Sequence, residues 1–331
     1  MPMETRTLGP FTVSALGLGC MSMSHAYGRP DDEESVKTLH RALDLGYTML
    51  DTAALYGFGK NESLIGKTLK GRRAEYTLAS KCGIFKNADG RREINGRPEV
   101  LKRTCEESLQ RLHTDVIDLY YLHRYDRKVP IKESVGALGD LMRAGKIRAI
   151  GLSEVSAATL KQAHAEHPVA AVQTEYSLWT RNAEIEVLKT CKDLGVGFVA
   201  FSPLARGFLT GCLTDTSALE ESDLRLTLPR FRQEHFGKNL RLLDEYAGIA
   251  AEAGCTMAQL ALAWLLTRGD HIVPIPGSRR QTSVEENAGA VEVKLDPAII
   301  ERLDRLINQH TVSGPRYNET TQKEIDTEEF S

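Results

Sequence analysis

Four side chains of this sequence could cooperate in proton chemistry: Asp51 and Tyr56 in "LDTAALYG", Lys81 in "TLASK" and His123 in "YYLHRYD". A phenol titrates near ~10, so at neutral pH it holds its proton and can serve as a general acid. Giving that proton to a forming alkoxide leaves a phenolate, which a neighbouring ammonium stabilises by favouring the charged form. Lys81 suits that role, with Asp51 to hold it and offset the cost of burying it. His123 is placed to hydrogen-bond the same carbonyl oxygen and aim the substrate. Together they form a carbonyl-reducing arrangement that lacks only a hydride donor. Any one of the four alone reads as an ordinary hydrogen-bonding or solvated residue. Their convergence on one rim is what points to catalysis.

That convergence depends on the elements between them. Eight short apolar runs recur, at 16–20, 47–51, 77–81, 117–122, 147–152, 169–174, 197–202 and 271–275. They are continuously apolar, not alternating, as parallel strands covered on both faces should be. Helix-period stretches lie between them. "RPEVLKRTCEESLQRL" has Pro98 in its first turn and Val100, Leu101, Leu109 and Leu112 on one face. Asp31, Asp32, Glu33 and Glu34 precede another, where a helix start favours negative charge. Gly46, Gly145 and Gly195 each follow a helical run as stop residues. "TMAQLALAWLL" (256–266) is the most apolar helix and is expected to lie against the barrel.

Strand–helix alternation repeated eight times predicts a closed (β/α)8 TIM barrel, with an open doubly wound sheet as the alternative. In such barrels the catalytic groups occupy the C-terminal strand ends. Asp51 ends the second strand, Tyr56 lies in the loop after it, Lys81 ends the third and His123 the fourth. "RTLGPFTV" predicts a hairpin turning at Gly9-Pro10, a plug under the barrel. A long connection at 203–237 follows the seventh strand, and 309–331 is polar and acidic; stretches of that length are lids or disordered. The chain reads as one domain over 1–331, with 311–331 as its polar C-terminal tail.

Composition narrows the functional classes. The chain has 331 residues, 41% hydrophobic, with a formal net charge of −3, which leaves no electrostatic footprint for nucleic acid. No run approaches the ~20 apolar residues that cross a bilayer. "MPMETRTLGP" lacks a basic region followed by an apolar core, so secretion is not expected. Six scattered cysteines without CxxC spacing read as reduced thiols, not as a disulfide framework or a zinc site. The expectation is a soluble cytoplasmic enzyme with a small-molecule carbonyl substrate and no metal, nucleic-acid or membrane partner.

The hydride donor needs a phosphate site. "GVGFVA" (195–200) fits a dinucleotide fingerprint on paper, but it precedes a strand instead of joining strand to helix. Barrels bind phosphate with the loops after strands seven and eight and a helix N-terminus. Those loops read "FSPLARGFLTG" (201–211) and "IPGSRRQTSVEENAGA" (275–290). The second couples Gly277 and Ser278 to Arg279 and Arg280, then opens a helix near Thr282. Paired arginines there suit a 2′-phosphate and favour NADPH over NADH; the alternative is two solvated loop charges.

Other candidates read blandly. Tyr56 and Lys60 have YxxxK spacing, but Gly-Phe-Gly between them opposes the helical turn that pair needs. His164 and His167 suit a solvated helix face. Cys20 and Cys82 flank the proposed site and are expected to be inert buried thiols. Trp179, after "EYSL", is either a core aromatic or a wall of the substrate pocket; rim loops shape such pockets, so the wall is expected.

At this point the chain resembles the aldo-keto reductases. The resemblance covers about 5 to 310 and is carried by "LGLGCMSMS", "LDTAALYGFGKNESLIGKTL", "LASKCG", "IDLYYLHR", "IRAIGLSE", "VQTEYSLW", "FVAFSPLARGFLTG" and "IPGSRRQTSVEENAGA". Its details look most like the branch with plant and fungal perakine- and pyridoxal-reductase-like enzymes. The resemblance implies a (β/α)8 barrel using NADPH, with the tetrad on Asp51, Tyr56, Lys81 and His123 and Tyr56 as proton donor. It implies that backbone around Gly19, Cys20 and Met21, with Asp51, lines the nicotinamide end, and that Ser153, Glu154 and Gln173 meet the carboxamide. Phe201 would stack on the ring, and Ser202, Pro203, Leu204, Arg206 and Gly207 would hold the pyrophosphate. Gly277, Ser278, Arg279, Arg280, Ser283, Glu286 and Asn287 would hold the adenosine phosphate and adenine. Two positions depart from the commonest pattern: Glu154 stands where Asn is usual, and Phe201 where Tyr is frequent. Tyr56, His123 and Trp179, with the 24–30 loop, 208–237 and the tail, would shape the substrate pocket. The potassium-channel β subunits, more distant relatives, suggest an alternative: an NADP(H) sensor with slow turnover.

Overall fold

The computed structural model describes residues 3–87 and 91–330. The chain opens with an antiparallel hairpin, β1 (Thr5–Leu8) and β2 (Phe11–Ser14), turning at Gly9-Pro10. Then come β3 (Leu18–Gly19), α1 (Asp32–Asp44), β4 (Met49–Asp51), α2 (Lys60–Thr68), β5 (Thr77–Cys82), a second hairpin of β6 (Ile84–Lys86) and β7 (Arg92–Ile94), and α3 (Pro98–Leu112). Next are β8 (Ile117–Leu122), α4 (Ile131–Arg143), β9 (Ile147–Ser153), α5 (Ala157–Glu166), β10 (Val169–Glu175), α6 (Val187–Leu194) and β11 (Gly197–Phe201). The remainder is α7 (Gln233–Glu252), α8 (Met257–Leu266), β12 (Ile272–Ile275), α9 (Gln281–Ala288), α10 (Pro297–Leu306) and α11 (Glu319–Gln322).

Eight parallel strands pair in the order β12-β11-β10-β9-β8-β5-β4-β3. The sheet closes on itself: Gly17 N donates to Pro274 O at 3.0 Å, Gly19 N to Pro276 O at 3.1 Å, and Gly19 bridges Gly277. All eight expected strands are present, and closure decides between the barrel and the open sheet. Strand neighbours point alternately inward and outward. Met49, Ala79, Leu119, Tyr121, Ala149, Ala171, Val199 and Val273 share one cluster with Leu8 and Val13 of the hairpin, inside the barrel. Leu50, Leu78, Tyr120, Ile150, Val172, Phe198 and Ile272 join the helices in the other cluster, outside it. Both faces are covered, so the strands are apolar throughout.

The hairpin plugs the lower mouth. A side chain at Gly197 would bring its Cβ within 2.3 Å of Leu8 Cδ1, so only glycine lets the plug seat. Arg6 pins it by donating to the carbonyls of Leu266 and Gly269, both at 2.8 Å. Local helix signals act as expected: Asp31 caps α1 by accepting from Glu34 N, and Pro98 opens α3. Gly195, with φ of 67°, ends α6 in the left-handed conformation. α8 carries a Thr256/Gln259 capping box and is buried over most of its length. No single helix among the described residues is long and apolar enough to cross a membrane.

Three features differ from the sequence expectations. The β6–β7 hairpin lies in a mixed polar stretch with no alternating pattern to reveal it. The 203–237 connection is built of tight turns at Ala205–Thr210, Leu224–Thr227 and Pro229–Phe231, and α7 already begins at Gln233. The polar tail packs across the upper rim, where Arg316, Tyr317 and Ile325 are buried. Its order comes from charge pairing with the strand ends, described next.

Candidate active site

At the C-terminal ends of the strands the four candidate catalytic residues meet. The Lys81 ammonium uses all three donors: to Asp51 Oδ1, to Thr52 O at 2.9 Å and to Tyr56 Oη at 3.3 Å. Asp51 Oδ2 accepts from Gln173 Nε2 at 2.7 Å. The imidazole of His123 stands edge-on to the Tyr56 ring, centroids 5.9 Å apart. All four side chains are buried. β4, β5 and β8 bring them together, because parallel strands in one barrel end on the same rim.

Electrostatics assign each group a protonation state. Burial pulls the Lys81 ammonium down, but Asp51 and then Tyr56 outweigh it, so its pKa lies above the ordinary lysine value. Burial raises the Tyr56 phenol, and the opposing pull of Lys81 offsets only part of that rise. Tyr56 therefore keeps its proton at neutral pH. Burial, then the charges of Arg124 and Lys81, push His123 well below its usual value. His123 is a neutral imidazole, and its Nδ1 is buried without a hydrogen-bond partner.

Positioning residues that the sequence did not single out support this core. Thr52, whose carbonyl holds Lys81, donates through Oγ1 to Asn61 Oδ1 at 2.7 Å. Asn61 Nδ2 in turn donates to Cys20 O at 2.8 Å and Ser24 Oγ at 3.0 Å. One buried amide thus ties the loops after β3 and β4 together.

The tetrad opens into a cavity of about 730 Å³ that extends to the start of α9. Gly19, Met21, Asp51, Tyr56, His123, Ser153 and Gln173 line one end. Phe201, Ser202, Pro203, Leu204, Arg206 and Gly207 line the middle, and Gly277, Ser278, Arg279, Arg280, Ser283, Glu286 and Asn287 the other end. Asn287 Nδ2 donates to Ser278 Oγ at 3.1 Å, bracing that end. Ser202, Arg206 and Gly207 have positive φ of 49°, 59° and 92°, a turn that carries backbone against the cavity. Left-handed non-glycine residues are costly and concentrate at ligand clamps. The cavity also takes in His25 and Tyr27, Leu224 and Leu228, and Tyr317, Thr320, Thr321 and Glu324 of the tail. A dinucleotide fits these residues: the buried Ser22 Oγ lacks a partner beside Gly277, and two arginines adjoin a helix start at the far end.

Several predicted contacts fall elsewhere. Glu154, with φ of 55°, does not line the cavity. Its carboxylate accepts from Arg316 Nη2 at 2.6 and 2.7 Å and from Glu175 N at 3.0 Å, so it cannot serve a carboxamide. Trp179 is a core aromatic and not a pocket wall. It stacks on Phe208 at 4.2 Å, with Phe231 edge-on. Of the backbone around Gly19, Cys20 and Met21, Gly19 and Met21 line the cavity and Cys20 does not; its Sγ lies against Leu18 O, and burial pushes the thiols of Cys20 and Cys82 up. Gln173 lines the cavity but spends a side-chain donor on Asp51. Arg206 lines the cavity, yet its guanidinium donates to Glu175 Oε2 at 2.7 Å and Tyr317 Oη at 3.1 Å. Arg279 Nη1 donates to Tyr27 O at 2.6 Å.

The tail, Arg206 and two strand ends therefore share a buried charge cluster of Glu154 and Glu175 against Arg206 and Arg316. Burial alone would raise Glu175, but Arg206, then Arg316 and Arg230, hold it at about 2. Glu175 ends β10 in "VQTEY", so its rim position was legible; its partner 141 positions downstream was not.

Comparison with known proteins fits this geometry. The family model described as "Aldo/keto reductase family" matches residues 15–308. The Schizosaccharomyces pombe protein named aldo-keto reductase yakc (NADP(+)) is 43% identical over 96% of this chain and 95% of its own. Among solved structures, a glycerol dehydrogenase from Gluconobacter oxydans aligns with a TM-score of 0.86 at 29% identity, over 95% of this chain and 98% of its own. A Klebsiella pneumoniae aldo-keto reductase in complex with NADPH aligns at 0.75 with 27% identity, over 96% and 99%. With a matching barrel, a family match across most of its length and a close full-length relative, this chain belongs to the aldo/keto reductase family.

Proposed function

We propose that this chain is an NADP(H)-dependent reductase that converts aldehydes, and by extension ketones, to alcohols, with Tyr56 as proton donor. One observation carries the reading. A buried, protonated phenol lies 3.3 Å from a buried ammonium, in a cavity that runs to Arg279 and Arg280. The relatives named for NADP(+) and solved with NADPH support the cofactor. The resemblance to perakine- and pyridoxal-reductase-like enzymes is the branch we favour.

The residues divide the work. When bound, the nicotinamide supplies the hydride. Ser153 and Gln173 line that end of the cavity and would meet its carboxamide, and Phe201 would offer an aromatic face. Tyr56 delivers its proton to the substrate oxygen, and the Lys81 ammonium stabilises the phenolate left behind. Asp51 fixes Lys81 and compensates its charge. Neutral His123 offers an N–H to the same oxygen without competing for the proton. Preorganised donors of this kind act most strongly where water is excluded.

Reduction is tested by following NADPH oxidation with a panel of aldehydes. Turnover with at least one supports the proposal; tight NADPH binding without oxidation by any would favour a sensor. The phosphate end has its own expected result. Arg279→Ala with Arg280→Ala should raise KM for NADPH by about tenfold to a hundredfold, as lost charge-assisted hydrogen bonds predict. KM for NADH should change far less. An unchanged ratio between the cofactors would remove the arginines from phosphate recognition.

A further inference from the structure

We propose that Arg124 is a specificity-determining residue that selects carbonyl substrates carrying a carboxylate near the reacting carbon. The proposal rests on the reductase reading above and adds a substrate class to it.

Arg124 follows His123 directly at the end of β8 and lines the cavity beside Tyr56, His123 and Ser153. Its Nη1 donates to His123 O at 2.7 Å and Ser153 Oγ at 3.3 Å, which fixes the guanidinium at the reacting end. Its Nη2 makes no hydrogen bond among the described residues and is not shut away from solvent, so it is the donor left open to the cavity, whereas Nε is buried.

Charge balance around the cavity sets Arg124 apart. Arg92 pairs with Glu324 at 2.6 Å, Arg206 with Glu175 at 2.7 Å and Arg225 with Asp223 at 2.8 Å. Arg279 and Arg280 stand at the opposite end. Among the described residues, no carboxylate lies within salt-bridge distance of Arg124. One positive charge is thus left over at the reacting end, and it is near enough to act on both Tyr56 and His123. With Nη1 committed to His123 and Ser153, Nη2 is left to give a carboxylate a charge-assisted hydrogen bond, which is shorter and stronger than a neutral one. One uncompensated cation in a cavity whose lining also includes Leu55, Leu224 and Leu228 suits a singly charged oxyanion on an otherwise apolar molecule. An oxo acid with a short spacer would thereby be oriented with its carbonyl toward Tyr56.

The test compares each of the three carboxybenzaldehyde isomers with its methyl ester. For at least one isomer, kcat/KM should favour the acid by about tenfold or more, chiefly through KM, the factor expected of a charge-assisted hydrogen bond. Added salt should erode that preference. Arg124→Gln should bring the acid-to-ester ratio close to one, and Arg124→Lys should restore part of it. A role confined to holding Ser153 would lower both substrates together, raise KM for NADPH and leave the ratio unchanged; that outcome overturns the proposal. So does a wild-type ratio at or below one for all three isomers.

A binding arm separates this from the reductase reading. Enzyme loaded with NADP+ is titrated with the matching carboxybenzyl alcohols and their methyl esters. If no aldehyde is reduced but the acids bind in an Arg124-dependent way, the carboxylate site stands and the reductase reading fails. If the esters are reduced and the acids gain nothing, the reductase reading stands and the carboxylate site fails.

Discussion

Replacing Tyr56 with phenylalanine is expected to lower kcat for carbonyl reduction by about 10²- to 10⁴-fold, the range for loss of a positioned general acid. NADPH binding should persist, because the ring and its edge-on contact with His123 remain. Only the hydroxyl 3.3 Å from Lys81 is lost. A kcat and kcat/KM that fall together would identify an interaction made in the transition state. The wild-type pH profile adds a second reading. Burial raises the phenol above its ordinary value. Reduction should therefore hold steady from neutral pH and fall only above ~10, where the proton donor is lost. Full activity in the variant, or an unchanged profile, would take the proton donor away from Tyr56.

Replacing Arg316 with leucine is expected to destabilise the fold by about 3–5 kcal/mol, the cost of leaving buried charges unpaired. Glu154 loses the Arg316 nitrogen that bonds both its oxygens, and Glu175 loses one of its two salt-bridge partners. Urea unfolding should show a lower midpoint with an unchanged slope. Adding Glu154→Gln to the variant should recover part of the loss, since it removes one stranded charge. Tyr317, Thr320, Thr321 and Glu324 line the cavity just downstream, so KM for substrate should rise as well.

Acid should weaken the same cluster. Glu175 is held at about 2 in the folded chain, below the ~4.3 of a free glutamate. Between those values the unfolded chain binds more protons, so stability rises with pH. The contribution is complete above ~4.3 and disappears as pH falls toward 2. In the Arg316 variant this acid-sensitive part should shrink. Equal midpoints for wild type and variant at neutral pH would show that the cluster does not hold the tail.

The sequence by itself determined the barrel strands and the four residues at their ends. Strands covered on both faces must be apolar throughout, so they stand out as short runs, and chain order places their ends on one rim. Asp51, Lys81 and His123 each close such a run, so their meeting follows from topology alone. The arginines at 279 and 280 were legible for the same reason, since they follow the last strand and open a helix.

Tertiary structure decided what depends on partners far apart in the chain. Glu154 faces away from the cavity because Arg316, 162 positions later, takes both of its oxygens. Trp179 is core because Phe208 and Phe231 fold onto it. The tail is ordered through ions buried against strand ends, although its own composition is polar. Arg124 sits beside a residue the sequence did single out, yet its lack of a carboxylate partner emerges only once Arg92, Arg206 and Arg225 are seen to pair with Glu324, Glu175 and Asp223. Periodicity and strand order are local signals, whereas charge pairing and packing are settled by distance in space.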